Sequence, residues 1–405
     1  MVVFGRGVEA VLGPSAKLLR LLGLWSPQKG DTSHNGSALT GYLTLALIFG
    51  LMVTSALKLL MDRPRELDEL GACIFIVTML AEVFFKMLCF VVQRPTLHKL
   101  VQLLTEIRAD GSTGERNDEI RRGYQILVDR MFLLIMVTAT ATQTLWAAAP
   151  VIYQPLNEDG EVTRLLPLSM WLPLDMNASP NYEVIYLVQV LLMPLASASL
   201  LFDFVFIDLM VRIAAELEIL DYSFSGLSKN PKSVSATSKN EFKSVHTVSD
   251  GEINLQLAKN VKHHQEILRS VDLLEEAMNT GVFIQFLAST IAISCNIFAA
   301  TSVTLYDSQF KQLIIILLIQ SGLYCIFGQV VTDQSEKLMH SAYSCEWVDC
   351  DTRFRRSLLT FSVGATRPIE FTVGRMYKLS RETFLQVLQG SYAMFNMLYT
   401  FQSNR

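Results

Sequence analysis

The stretch TFLQVLQGSYAMFNMLYTF, residues Thr383–Phe401, contains no charged side chain. A helix needs about 20 predominantly apolar residues to cross about 30 Å of hydrocarbon, where only a helix satisfies its own backbone. The stretch is therefore predicted to span a membrane. Within it, Gln389, Tyr392, Asn396 and Thr400 recur at steps of three and four, so one face of the predicted helix is polar.

Six segments upstream are at least as long and are predominantly apolar. The chain as a whole is 51% hydrophobic and 18% charged, against roughly 25% charged residues in an average soluble domain. Its net charge of −4 provides no basic excess for a polyanion, which excludes nucleic acid as a partner. We predict an all-α membrane protein with seven transmembrane helices, whose first six spans are Gly41–Leu60, Gly71–Val92, Met131–Tyr153, Val184–Met210, Ala277–Tyr306 and Gln312–Thr332.

The Lys and Arg residues set the predicted orientation, because they concentrate on the cytoplasmic side of membrane proteins. The segment before the first span and the loops 93–130, 211–276 and 333–382 hold 27 of the 34 basic residues. The N-terminus is therefore predicted to be cytoplasmic and the C-terminus extracellular. Receptors coupled to G proteins run in the opposite direction, so no G protein is required. The predicted regions are 1–40 (cytoplasmic segment), 41–210 (spans 1–4), 211–276 (cytoplasmic loop and anchor helices), 277–332 (spans 5–6), 333–382 (cytoplasmic anchor segment) and 383–405 (span 7 and extracellular C-terminus).

Two cytoplasmic regions have helical apolar stripes that continue beyond the spans. Ile253, Leu257 and Val261 begin one stripe that leads into span 5, and RFRRSLLTFSV in the segment 333–382 is amphipathic. We therefore predict a cytoplasmic helical anchor region where helices pack on one another or on other subunits. On the predicted outer side, Asn177 begins the glycosylation sequon Asn-Ala-Ser.

The sequence contains no pattern of catalytic or metal-binding residues. The six cysteines are scattered, without the spacing of a disulfide framework or a zinc site, and are predicted to be free thiols. We expect no enzymatic activity, no metal and no cofactor. Glu82 and Lys86 in span 2 stand four residues apart and are predicted to pair. Asp203 and Asp208 occur in the cytoplasmic half of span 4, where they either line an aqueous path or bond to a neighbouring helix.

The outer halves of spans 2 to 5 combine bulky apolar with small polar side chains. Such a mixture is typical of a pocket for a small apolar ligand, although ordinary helix packing explains each residue equally well. In span 3 three of these residues recur every four positions and share one face. The candidate ligand-binding residues are Met79, Leu80, Thr138, Thr142, Trp146, Tyr186, Gln189, Met193, Cys295 and Phe298.

The polar face of span 7 has two interpretations. If four copies surrounded an axis, this face would line a pore, with Met397 or Phe401 as an apolar constriction. Alternatively, the polar side chains form interhelical hydrogen bonds within one bundle.

Several stretches in the C-terminal third, among them HHQEIL (His263–Leu268), FGQVVTDQSEKLMHSAYSCEW (Phe327–Trp347) and YKLSRETFLQVLQGSYAMFNML (Tyr377–Leu398), resemble the insect odorant receptors. The resemblance extends to the number of spans, their orientation and the chain length. It implies an odorant-gated, non-selective cation channel, built as a heterotetramer with a shared co-receptor, in the plasma membrane of olfactory sensory neuron dendrites. The implied partners are the co-receptor, a small volatile ligand, membrane lipids and permeant cations.

The resemblance also places individual residues. It puts Met79, Leu80, Thr138, Thr142, Trp146 and Met193 in the odorant pocket, and Met397 and Thr400 at the gate. The family's co-receptor has a longer loop between spans 4 and 5, and a Val and a Gln where this chain has Met397 and Thr400. The chain therefore resembles a ligand-tuning subunit. The alternative is a gustatory-type receptor channel that acts without the co-receptor.

Overall fold

The protein is built almost entirely of long helices. The computed structural model describes residues 13, 15–25, 33–62, 67–110, 114–152, 166–174, 178–196, 198–227, 250–302 and 307–403. Residues 15–21 form a short helical segment. The longer helices are α1 (Ser33–Met61), α2 (Leu67–Asp110), α3 (Glu115–Ile152), α4 (Asn181–Ala196), α5 (Ala198–Ser225), α6 (Asp250–Ser302), α7 (Asp307–Ser344), α8 (Thr352–Ala365) and α9 (Arg381–Ser403).

Within these described ranges, six helical stretches are long and apolar enough to cross a membrane. They are α1, α2, α3, the consecutive helices α4 and α5, α6, and α7, and they contain the described parts of the first six predicted spans. Helix α9 corresponds to the predicted seventh span. Its 23 residues suffice to cross a bilayer, but its polar face leaves it less hydropathic than the other six.

Several helices extend beyond the predicted spans toward the predicted cytoplasmic end. Helix α2 continues to Asp110 through Pro95, whereas the predicted span ended at Val92. It continues because Leu97, Leu100 and Leu104 bury a helical stripe in the core. Helix α6 has 53 residues and begins at Asp250, so the helix of predicted span 5 starts well before Ala277. The predicted loop 93–130 is therefore mostly helix.

The helices pack into one bundle. Helix α2 lies along α6, and α5 lies along α7, in the two most extensive helix pairings. Helix α5 is at the centre, since almost every side chain from Ala198 to Leu220 is buried, including Phe202, Phe204 and Phe206. All six cysteines are free thiols, as predicted.

The amphipathic segment RFRRSLLTFSV forms α8, as predicted. Asp351 caps its N-terminus by accepting a hydrogen bond from the backbone N–H of Phe354 at 2.8 Å. After α8 comes a small antiparallel hairpin, β1 (Thr372–Val373) and β2 (Tyr377–Lys378), which the all-α prediction does not include. Its turn begins at Gly374, whose φ of +59° and whose close approach to Phe283 of α6 leave no room for a side chain.

Helix α9 presents two different faces. Thr383, Val387 and Ser391 are buried against the bundle, where α9 contacts α6 and α7. The Ser294 hydroxyl of α6 donates a hydrogen bond to the backbone carbonyl oxygen of Ser391 at 2.9 Å. The polar face is exposed in this single chain, with Gln389, Tyr392, Asn396 and Thr400 all on the surface.

A close contact positions the start of α9 against α7. At Gly328 of α7, a Cβ atom would lie 2.7 Å from the Cβ and 2.9 Å from the carbonyl oxygen of Leu379, the residue that follows β2. Only glycine allows α7 and this connection to approach so closely.

We predict that Gly328→Ala destabilises the protein by about 1–3 kcal/mol, because the added methyl group overpacks this contact. The matched control is Gly364→Ala on the exposed side of α8, where an added Cβ would have no neighbouring side chain or other segment within 4 Å. The control should be neutral or stabilise the helix by about 0.5–1 kcal/mol. The measurement is the thermal unfolding of the purified protein in detergent, and equal melting temperatures for the two variants would contradict the close contact.

Candidate functional site

A mostly apolar cavity, partly open to the surface, lies between α1, α2, α3, α4, α5 and α7. Its volume is about 190 Å³, somewhat larger than the ~150 Å³ cavity that admits benzene in an engineered protein. It is lined by Ile48, Leu51, Phe75, Ile76, Met79, Leu80, Val83, Ala139, Thr142, Gln143, Trp146, Leu168, Leu192, Met193, Leu195, Ala196, Ser199, Leu200, Ile316, Leu317 and Gln320.

Five of the ten predicted ligand-binding residues line this cavity: Met79, Leu80, Thr142, Trp146 and Met193. Their helices α2, α3 and α4 each contribute at least one of them. The periodicity in span 3 brings Thr142 and Trp146 to the same wall, one helical turn apart. Whether they contact a ligand stays a prediction.

The other five predicted residues do not line this cavity. Thr138 lines a smaller neighbouring pocket. Tyr186 donates its hydroxyl hydrogen bond to the carbonyl oxygen of Ala147 at 2.8 Å. Gln189 is fully buried and bonds both backbone groups of Leu168, which lines the cavity. Cys295 and Phe298 are buried in α6.

The polar side chains of the wall direct their hydrogen-bonding atoms toward the protein. Trp146 donates from Nε1 to the carbonyl oxygen of Pro167 at 2.8 Å, and Thr142 donates to the carbonyl oxygen of Thr138 at 2.8 Å. Gln143 donates to the carbonyl oxygen of Met193 at 3.0 Å. With these groups engaged, the wall offers a ligand mainly apolar surface, which favours binding by burial rather than by directed hydrogen bonds.

A buried ionic cluster adjoins the cavity. Lys86 Nζ lies 2.8 Å from Glu82 Oε1 and 2.8 Å from Asp203 Oδ1, so the predicted pairing of Glu82 with Lys86 is confirmed and extends to a third charge. Tyr324 donates its hydroxyl hydrogen bond to Asp203 at 2.7 Å. The second predicted acid, Asp208, pairs instead with Arg212 at 2.9 Å.

Two side chains belong to both the cavity wall and the cluster. Ser199 lines the cavity and donates a hydrogen bond to Glu82 at 2.7 Å, and Gln320 lines it and bonds Asp203 through its amide. Sequence reasoning missed both residues. The sequence could have indicated Gln320, because a polar side chain inside an apolar span is unusual. A single Ser in a helix is too common to indicate a functional residue.

Hydrogen bonds lead from the cluster to Ser289 of α6, and a separate hydrogen bond joins α6 to α9. Gln285 of α6 contacts Lys86 and donates to Ser289 at 2.7 Å, and Ser321 of α7 bonds Ser289 at 3.2 Å. One and a half turns further along α6, Ser294 holds the backbone of α9. A continuous helix therefore joins the cluster beside the cavity to the helix with the exposed polar face.

The predicted gate residues lie on the exposed side of α9. Met397 and Phe401 are 59% and 62% exposed, and Thr400 donates its hydroxyl hydrogen bond to the carbonyl oxygen of Asn396. The predicted glycosylation residue Asn177 lies outside the described residues. Across the described ranges, no group of His, Cys, Asp and Glu side chains could hold a metal ion.

Comparison with known proteins identifies the family. The family model described as 7tm Odorant receptor matches residues 44–392, and the chain therefore belongs to this family of odorant receptors. Its members are receptors rather than enzymes. Membership of this family also makes the chain a multi-pass membrane protein with seven transmembrane helices.

Three relatives and two solved structures illustrate the similarity. Odorant receptor 85c of Drosophila melanogaster is 33% identical over 36% of this chain and 38% of its own length. Odorant receptor 10 of Aedes albopictus is 26% identical over 58% and 60%, so these two alignments cover less than two thirds of either relative. Odorant receptor Or1 of Anopheles gambiae is 21% identical over 95% and 94%.

The fold matches that of the insect olfactory receptor OR5 from Machilis hrabei. The structure of that receptor in complex with eugenol has a TM-score of 0.81 at 16% identity, covering 97% of this chain and 98% of the other. The structure of the same receptor described without that ligand has a TM-score of 0.74 at 17% identity, covering 98% of both chains.

We predict that Lys86→Met destabilises the protein by about 3–5 kcal/mol, because Glu82 and Asp203 would be left buried without their cation. The control is Lys99→Met, on the exposed side of the same helix, where a change within about 0.5 kcal/mol is expected. Thermal unfolding in detergent measures both variants. A Lys86→Met protein as stable as the control would show that the cluster does not hold the bundle together.

Proposed function

We propose that the chain is the ligand-tuning subunit of an odorant-gated, non-selective cation channel, in which it forms a heterotetramer with a co-receptor. The observation that carries the proposal is the apolar cavity whose wall shares Ser199 and Gln320 with the ionic cluster. A small volatile ligand binds in that cavity, and α9 contributes to the pore. The complex acts in the dendritic membrane of an olfactory sensory neuron, without a G protein.

The cavity supports a ligand of limited size and affinity. A volume of about 190 Å³ suits a molecule of roughly ten heavy atoms. Small ligands gain between about −0.3 and −1.5 kcal/mol per heavy atom, so an odorant of this size binds with modest affinity. The ligand is expected to be neutral and predominantly apolar, because the polar groups of the wall are engaged with the protein.

Only the part of the binding energy that differs between closed and open states can gate a channel. Ser199 and Gln320 provide a route for such a difference, since a ligand that pushes on them acts directly on Glu82 and Asp203. The cluster joins α2, α5, α6 and α7, and α6 holds α9 through Ser294. Binding thereby biases the position of the pore helix.

The pore proposal depends on the exposed face of α9. Polar side chains that face hydrocarbon are costly, so this face is expected to meet water or another subunit. Four α9 helices around an axis would place Asn396 and Thr400 toward permeant cations. Met397 and Phe401 would then form an apolar constriction that closes by dewetting.

The first test of the ligand site is Trp146→Ala, measured by dose–response curves of odorant-evoked current in cells that also express the co-receptor. We expect the half-maximal concentration to rise about tenfold or more for every active ligand, because the ring forms part of the wall. Leu145→Ala, whose side chain is 52% exposed on the same helix, should leave the curves unchanged. Unchanged curves for Trp146→Ala would show that the ligand does not bind in this cavity.

The pore is tested by Met397→Cys in the same co-expressed complex. A charged, thiol-reactive reagent is expected to reduce the odorant-evoked current of this variant, because the side chain faces the conduction path. The matched control is Val387→Cys, on the buried face of α9 and 8% exposed, together with the wild-type chain. If the reagent leaves the current of Met397→Cys unchanged, this face lies outside the pore. In a separate experiment without the co-receptor, a robust tastant-evoked current from the chain alone would favour the gustatory-type alternative.

A further inference from the structure

A second cavity lies toward the predicted cytoplasmic end, between the end of α2, the start of α3 and the middle of α5. Its volume is about 370 Å³. Unlike the apolar cavity, it is lined by charged side chains. Four arginines, Arg108, Arg121, Arg122 and Arg212, share it with three acids, Asp118, Asp208 and Glu216.

The three acids are matched by two of the arginines. Arg121 forms a bidentate ion pair with Glu216, donating from Nε to Oε1 at 2.8 Å and from Nη2 to Oε2 at 3.0 Å. Its Nη1 also lies 3.9 Å from Oδ1 of Asp118. Arg212 pairs with Asp208 at 2.9 Å. Four arginines against three acids leave the cavity with a formal net charge of +1, and none of the three acids is paired with the other two arginines.

Arg108 and Arg122 are the two arginines that remain. Both side chains are exposed, and neither forms an ion pair or a hydrogen bond with any residue of the described ranges. Arg108 belongs to the last turn of α2 and Arg122 to the second turn of α3. The cavity thus presents two uncommitted guanidinium groups from two different helices.

The cavity lies at the predicted cytoplasmic surface of the bilayer. Asp208 belongs to the predicted span 4, and Glu216 lies eight residues further along α5, about 12 Å beyond it. The cavity therefore extends from the predicted edge of the hydrocarbon into the region of the lipid headgroups. At the same level, Ile126 and Leu127 of α3 are 45% and 43% exposed, which provides apolar surface for acyl chains.

We propose that this cavity binds the phosphate groups of an inositol-lipid headgroup from the cytoplasmic leaflet, with Arg108 and Arg122 as donors. A guanidinium group matches the geometry of phosphate oxygens, and basic pockets between helices on the cytoplasmic side suit such headgroups. A soluble inositol phosphate has the same chemistry. The proposal is independent of the odorant site.

The test measures binding of three probes to the purified full-length chain in detergent: short-chain phosphatidylinositol 4,5-bisphosphate, short-chain phosphatidylcholine and inositol 1,4,5-trisphosphate. We expect the bisphosphate lipid to bind and phosphatidylcholine not to bind. Arg108→Gln with Arg122→Gln should weaken binding of the bisphosphate lipid about tenfold or more, because two charge-assisted contacts are lost.

Two further variants make the outcome specific. Arg355→Gln with Arg356→Gln removes the same charge from exposed positions on α8, outside the cavity, and should leave the affinity unchanged. Arg108→Lys with Arg122→Lys keeps the charge and should retain part of the binding. Equal affinity of the wild type and the Arg108/Arg122 glutamine variant would overturn the site. Trisphosphate binding as tight as lipid binding would support the phosphate site and overturn the lipid as its source.

Discussion

The ammonium group of Lys86 is buried at the level of the bilayer, and the arrangement of the helices depends on how that charge is satisfied. An isolated charge in hydrocarbon is costly, whereas a paired and hydrogen-bonded charge is tolerated. Glu82 comes from the same helix, but Asp203 comes from α5 and Gln285 from α6. Satisfying Lys86 therefore requires α2, α5 and α6 to meet at one point, and Tyr324 brings α7 to the same place.

The cavity exists beside this cluster for a related reason. Helices α2, α5 and α7, which supply side chains to the cluster, also form part of the cavity wall, where Ser199 and Gln320 lie beside apolar side chains such as Met79. The wall is apolar because its polar atoms have local partners. Only the side chains of Ser199 and Gln320 separate this space from Glu82 and Asp203.

The sequence predicted the parts of the fold that follow from short-range patterns. Span lengths, the pairing of Glu82 with Lys86 and the helix from Thr352 to Ala365 depend on residues within a few turns of one another. The partnership of Lys86 with Asp203 joins residues 117 positions apart, and no periodicity within a span reports such a contact. Likewise, helical periodicity places Thr142 and Trp146 on one face. It does not predict the hydrogen bond from Gln143 to Met193 or those between Gln189 and Leu168, because these depend on the position of a neighbouring segment.

Helix α6 runs without interruption for 53 residues, about 80 Å at 1.5 Å per residue. One end lies among the cytoplasmic helices, its middle touches Lys86, and its outer part holds α9. A rod of this length amplifies small rotations, since a tilt of about 3° about one end displaces the other by about 4 Å. If α6 pivots about its Asp250 end, a shift at Gln285, about 52 Å along the helix, reaches the outer end enlarged by about half.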